Sequence, residues 1–208
     1  MTDFGFYLVI TNPVVGYAKC AEAAVRAGVR IIQLRMKRAL REDVLREARE
    51  MRRVTAGTDT LFIVNDDPSI AAEAGADGVH VGQGDMPPKE VRARFPDLRI
   101  VGLSTHNPAQ VRASVDEPID YIGVGPVYAT PTKEIPDPTL GLATMAEMIS
   151  LAAHPAVAIG GIDEERLPGV VAAGARNFAV VRAVCSSSDP YSAIRRLQGL
   201  FQSPQSAP

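Results

Sequence analysis

Cysteine is nearly absent from the chain. Cys20 and Cys185 are the only two in 208 residues, and neither sits in a CxxC or Cys/His cluster. That excludes a structural zinc site of the usual ligand spacing, and a core of this size needs no disulfide staples. Both read as ordinary semi-buried cysteines. Long apolar runs are lacking too. No stretch approaches the roughly 20 apolar residues of a membrane span. The opening MTDFGFYLVIT has no basic leader and too short an apolar run for a signal peptide. A cytoplasmic, reducing setting is the expectation. Charge of one sign is also missing: the net charge is −2. This argues against a general nucleic-acid surface while leaving room for a small basic pocket.

What is present is ordinary globular material, 46% hydrophobic and 22% charged. The length suits one domain, 1–208, with a polar tail (about 202–208) expected to fray, and it just accommodates a compact (βα)8 barrel. Eight short apolar runs, rich in Val and Ile, read as strands buried on both faces. They are Tyr7 to Thr11, Arg30 to Leu34, Leu61 to Val64, Gly78 to Val81, Ile100 to Ser104, Tyr121 to Val124, Val157 to Ile159 and Phe178 to Val181. Amphipathic segments alternate with them: Ala18 to Ala27, Leu40 to Val54, Pro68 to Ala74, Pro87 to Phe95, Pro108 to Val115, Gly141 to Ala152, Asp163 to Ala173 and Pro190 to Phe201. Pro68, Pro87, Pro108 and Pro190 lie at or near helix starts, and Asn107 and Asp189 precede prolines as N-caps. RAGVRIIQL, EAGADGVHV and AAGARNFAV repeat one joint of helix end, glycine turn, polar residue and strand. Gly28, Gly75 and Gly174 are its expected left-handed positions. Strict alternation over eight units predicts a single parallel (βα)8 barrel rather than an open sheet.

The active end of such a barrel is the C-terminal end of its strands. Polar residues gather there, whereas the N-terminal strand ends look much less polar. Gln33, Arg35 and Lys37 alternate in QLRMK, so they share one face, and two cations with an amide suit a diphosphate. Asp66 and Asp85 end successive strands, and two carboxylates without Cys or His partners suit a hard cation such as Mg2+. The bland alternative is that Asp66 caps the helix opening at Pro68. Gly160 and Gly161 stand where backbone N–H groups can approach a phosphate. The loop Thr130, Pro131, Thr132, Lys133 offers two hydroxyls and a cation, followed by a Pro-rich flap over 134–140. His80 reads as a packed core histidine, His106 as a rim residue.

These pieces fall in a known order. YLVIT, GVRIIQLRMK, FIVND, GADGVHVGQGDMP, VGLSTH, DYIGVGPVYATPTK, VAIGGI and AGARNFAVVRAV together resemble the thiamine phosphate synthase (thiamine-phosphate pyrophosphorylase) family. The resemblance implies a Mg2+-dependent transferase joining 4-amino-2-methyl-5-hydroxymethylpyrimidine diphosphate to a plain or carboxylated thiazole phosphate. It implies that Arg35, Lys37, Ser104 and Lys133 act on the reaction, and that Gln33, Leu34, Met36 and Asn65 join them in holding the pyrimidine diphosphate. Thr130, Pro131, Thr132, Gly161, Val181 and Arg182 would take the thiazole phosphate, and Asp66 and Asp85 the metal. Small-molecule substrates are the expected partners, with a possible homodimer and neither nucleic acid nor membrane. Met36, Asp67, Gly84 and Arg182 depart from the family's common pattern, and Asp67 adds a carboxylate beside Asp66. The competing readings are a thiazole tautomerase-like barrel and a non-catalytic regulator that binds a phosphorylated metabolite.

Overall fold

Strands and helices alternate from the first strand onward in the computed structural model, which describes residues 3–130 and 138–202. The strands are β1 (Phe6–Ile10), β2 (Ile31–Leu34), β3 (Leu61–Asn65), β4 (Gly78–Val81), β5 (Ile100–Thr105), β6 (Tyr121–Val124), β7 (Ala156–Ile159) and β8 (Asn177–Val180). They pair in parallel in chain order, and β8 returns to β1, so the sheet closes into a barrel. The helices are α1 (Tyr17–Arg26), α2 (Arg41–Thr55), α3 (Pro68–Glu73), α4 (Pro88–Arg94), α5 (Pro108–Ala113), α6 (Gly141–Leu151), α7 (Leu167–Ala172), α8 (Arg182–Cys185) and α9 (Pro190–Gln202). No helix among the described residues is long and apolar enough to cross a membrane. Of the tail expected to fray, Gln202 still belongs to α9 and 203–208 lie outside the described residues.

The pleat sorts the side chains. Phe6, Leu8 and Ile10 of β1 face the helices, while Tyr7 and Val9 face the barrel interior with Ile31, Ile63, Ile100, Tyr121 and Val157. The glycine joints behave as read: Gly28, Gly75 and Gly174 take φ of 72°, 67° and 99°. Asn107 and Asp189 cap their helices, accepting from Gln110 N and Ser192 N. Two expectations change. α7 begins at Leu167 rather than near Asp163, because the Asp163 carboxylate closes a turn onto Arg166 N at 3.0 Å before the helix starts. The two cysteines are fully buried, not semi-buried. Their thiols meet between α1 and α8, and that hydrogen bond raises Cys20 above the ordinary thiol range and lowers Cys185.

The N-terminal strand ends are more polar than the sequence suggested, but their polar groups are consumed internally. Asp77, just before β4, accepts from Phe62 N of β3 at 2.9 Å and pairs with Arg52 and Arg99. Asp120, just before β6, accepts from Val101 N of β5 at 2.7 Å and from Arg92. Asn177 opens β8 and accepts from Phe4 N and Gly5 N. Each side chain ties the start of its strand to a neighbour, so this end serves stability. Asp77 is 6% exposed. Asp77→Ala would leave two guanidinium groups and a buried N–H without their acceptor, at a cost of about 3 kcal/mol. Urea unfolding should show that loss, with the catalytic constants of the folded fraction unchanged because the site lies at the opposite end.

Candidate active site

All eight strands deliver residues to one cavity of about 460 Å3 at their C-terminal ends. On the β2 side, Gln33, Arg35 and Lys37 line it. Leu34 and Met36 do not: both turn outward onto the helices, Leu34 fully buried, so any contact they make with a ligand is through the backbone. Period two within QLRMK accounts for both outcomes. Arg35 is half-buried, and burial pushes its guanidinium below the usual range, with Asp66 opposing the shift. A cation so poorly solvated gains strongly from an anionic ligand. Lys37 Nζ rests on the Asp66 carboxylate.

β3 and β4 bring the acidic pair to the same cavity, together with Asn65. Asp66 holds φ of 67°, a left-handed conformation that costs a non-glycine residue about 1 kcal/mol. Its N–H donates to His80 O at 2.8 Å, which fixes the turn. The cap of α3 is Asp67, not Asp66: Asp67 Oδ1 accepts from Ser69 N, Ser69 Oγ and Ile70 N. The bland reading of Asp66 therefore fails, and the extra carboxylate of Asp67 is committed to the helix. Asp85 is held by Gly82, whose N–H donates to Oδ2 at 2.7 Å.

The far side of the cavity is built by β6 to β8, with Thr130, Gly161, Val181 and Arg182 on its wall. Gly160 and Gly161 have φ of 104° and 65°. They are also packed from behind: a Cβ on Gly160 would come within 2.5 Å of Pro126 Cα, and one on Gly161 within 2.8 Å of Ala129 O. The glycines thus let the loop after β6 lie directly on the loop after β7. Arg182 opens the four-residue α8, an element too short for any periodicity to announce. Pro131, Thr132 and Lys133 lie outside the described residues.

Three strand ends with carboxylates and cations share this cavity with two that carry glycines and a further arginine. A sequence profile described as thiamine monophosphate synthase matches residues 6–184. The chain belongs to that family. Among its relatives, the thiamine-phosphate synthase of Laribacter hongkongensis is 37% identical over 204 residues, covering 96% of each chain. That of Anaeromyxobacter dehalogenans is 39% identical over 206 residues, covering 98% of this chain and 90% of the relative. The Gloeobacter violaceus enzyme is 43% identical over 182 residues; the alignment takes in 88% of this chain and 53% of that longer protein. Among solved structures, a thiamine phosphate pyrophosphorylase from Pyrococcus furiosus superposes with a TM-score of 0.87 at 27% identity, covering 96% of each. A 3-hexulose-6-phosphate synthase from Salmonella typhimurium, at 16% identity and a TM-score of 0.72 over 95% of this chain and 98% of that one, shares the fold alone.

Sequence reasoning missed three polar groups on the cavity floor. Tyr7, Tyr121 and His80 all line it, and His80 is not the packed core residue expected. His80 Nδ1 lies 2.9 Å from the Tyr121 hydroxyl and Nε2 2.8 Å from Ser104 Oγ. Their signal was the period-two register: Gly78 and His80 alternate with the helix-facing Val79 and Val81.

Proposed function

We propose that this chain condenses 4-amino-2-methyl-5-hydroxymethylpyrimidine diphosphate with a thiazole phosphate, plain or carboxylated, giving thiamine phosphate and pyrophosphate. The observation that carries the reading is the division of one cavity into two anion-binding halves in a chain of this family. Arg35 and Lys37 stand on the β2 side, and Gly161 and Arg182 on the β7–β8 side. A two-substrate condensation needs both reactants held face to face.

In the reaction, the bond between the pyrimidine methylene and the diphosphate oxygen breaks, and its electron pair leaves with pyrophosphate. The electron-rich aminopyrimidine carries the positive charge on the methylene. The thiazole nitrogen lone pair then forms the new C–N bond. No general base and no covalent nucleophile are required. Arg35 and Lys37, with Lys133 by resemblance, take up the charge that develops on the leaving group, the largest electrostatic demand of the step. Gln33, Asn65 and Ser104 orient the pyrimidine, and Thr130, Gly161, Val181 and Arg182, with Pro131 and Thr132 by resemblance, hold the thiazole phosphate. The enzyme would work in the cytoplasm.

Asp66 and Asp85 fit magnesium. They line one cavity with the diphosphate cations, and no cluster of three or more Asp, Glu, His or Cys exists among the described residues to form a cage for another metal. Mg2+ favours such a site, completing its shell with substrate oxygens and water. Bound there, it would neutralise the diphosphate as it departs.

The test is one assay: purified protein, both substrates and Mg2+, with thiamine phosphate detected after oxidation to a fluorescent thiochrome. Thiamine phosphate formed at a rate proportional to protein is the expected result. A folded protein that binds both substrates and forms none would overturn the condensation and leave the regulator reading. The retained Asp66, Asp85, Arg35 and Lys37 already weigh against the tautomerase-like alternative.

A further inference from the structure

A continuous hydrogen-bond chain crosses the floor of the barrel. Gln33 Nε2 donates to the Tyr7 hydroxyl at 2.8 Å. The Tyr7 and Tyr121 hydroxyls lie 2.9 Å apart. Tyr121 meets His80 Nδ1, and His80 Nε2 meets Ser104 Oγ. The two ends of the chain, Gln33 and Ser104, are two of the three residues assigned above to the pyrimidine. Its middle three members have no part in that assignment.

Counting protons gives the chain a direction. Each phenol has one proton, and burial holds both phenols neutral by pushing them above their usual range. Gln33 occupies the Tyr7 oxygen as donor, so the Tyr7 proton goes to Tyr121. The Tyr121 proton then goes to His80 Nδ1, the remaining imidazole proton sits on Nε2, and Ser104 accepts it. With Gln33 Nε2 as the donor, this order gives every buried hydroxyl proton an acceptor, and leaving one without costs more than the bond itself contributes. Ser104 is left to donate its own proton into the cavity. The Gln33 amide also reaches the Tyr121 hydroxyl, so what it keeps for a ligand is its carbonyl oxygen, an acceptor. That oxygen complements an amino group and repels a ring carbonyl. A flipped amide would reverse it.

The backbone has been cleared for this chain. His80, Gly102 and Tyr121 stand side by side on β4, β5 and β6. A Cβ on Gly102 would come within 2.2 Å of Tyr121 Cζ and 2.5 Å of both its hydroxyl oxygen and His80 Nδ1. Only a residue without a side chain lets the two rings stack across it, with centroids 5.4 Å apart.

We propose that Tyr7, Tyr121 and His80 are positioning residues that lock the Gln33 amide in one orientation, through the hydrogen-bond chain ending on Ser104, and so make the site select a 4-aminopyrimidine over a 4-oxopyrimidine. The inference rests on the reading of Gln33 as a pyrimidine contact. The test uses the whole enzyme, with the KM for the 4-amino substrate and the inhibition constant of its 4-oxo counterpart measured in parallel. Tyr7→Phe keeps the ring and removes the chain. It should raise the KM for the aminopyrimidine diphosphate about tenfold, leave that for the thiazole phosphate unchanged, and shrink the amino-over-oxo preference by at least about tenfold. Tyr121→Phe should do the same more weakly. In a Gln33→Ala background, Tyr7→Phe should add nothing. If Gln33→Ala weakens the pyrimidine substrate but the folded Tyr7→Phe and Tyr121→Phe enzymes keep the wild-type preference, the positioning role is overturned alone. If Gln33→Ala itself leaves the pyrimidine KM unchanged, the Gln33 assignment falls and the inference with it.

Discussion

Asp85→Ala is expected to lower turnover at least about 100-fold while thiazole phosphate binding stays within about twofold of wild type. The carboxylate is fixed over the cavity by Gly82 N at 2.7 Å. It lines the same cavity as Asp66, Arg35 and Lys37. On the proposed function, removing it would take away one of the two carboxylates for a cation that helps the leaving group depart. The half built on β6 to β8, proposed above for the thiazole phosphate, shares none of these contacts. Asp85→Asn is the cleaner companion, because its amide oxygen can still accept from Gly82. Magnesium should raise the melting temperature of the wild-type protein in the presence of pyrophosphate and fail to do so for either variant. Wild-type turnover in a folded Asp85→Asn enzyme would remove the metal from Asp85.

Arg35→Leu separates function from stability in the opposite sense to most active-site changes. The guanidinium is half-buried, and burial holds it below its usual range despite Asp66. Without a diphosphate, that charge is a burden on the fold. With one bound as proposed, it would form charge-assisted bonds that strengthen as the leaving group gains charge. The kcat/KM for the pyrimidine diphosphate should therefore fall by about 2–4 kcal/mol, or roughly 30- to 1,000-fold, while the melting temperature of the free enzyme stays level or rises. Arg35→Lys should recover only part of the loss, because an ammonium cannot reproduce the planar fork. Activity within threefold of wild type in Arg35→Leu would show that the diphosphate is gripped elsewhere.

The barrel was legible because its signals are local and repeated. Apolar runs recur eight times at short spacing and the glycine joint three times, and strand bounds such as Tyr7 to Thr11 against Phe6–Ile10 differ by one residue. Proline marked α3 and α5 to the residue. What escaped was non-periodic or cross-strand. α8 has four residues and no second turn. Asp163 stood where a helix start was expected, but its side chain spends itself on a turn. Asp67, directly before Pro68, was the better cap by the simple rule of adjacency, and that rule would have freed Asp66 for the cavity. Tyr7, His80 and Tyr121 come from three strands far apart in the chain. Their meeting depends on register and on the missing side chain of Gly102, which no single stretch of sequence displays. Outward-facing Leu34 and Met36 came in with a contiguous motif, where strand pleat alone separates them from Gln33, Arg35 and Lys37.

The loop after β6 leaves and re-enters the barrel at a single knot. Leu140 N donates to Pro126 O at 2.8 Å, Gly141 N donates to Val127 O at 3.0 Å, and Val127 N and Tyr128 N are fastened to Ile159 O and Gly160 O. The two ends are therefore already joined, whatever chain runs between them. Lengthening or exchanging that stretch adds only the slow logarithmic cost of a larger closed loop. Descendants of this scaffold could rewrite that stretch without renegotiating the eight strands beneath.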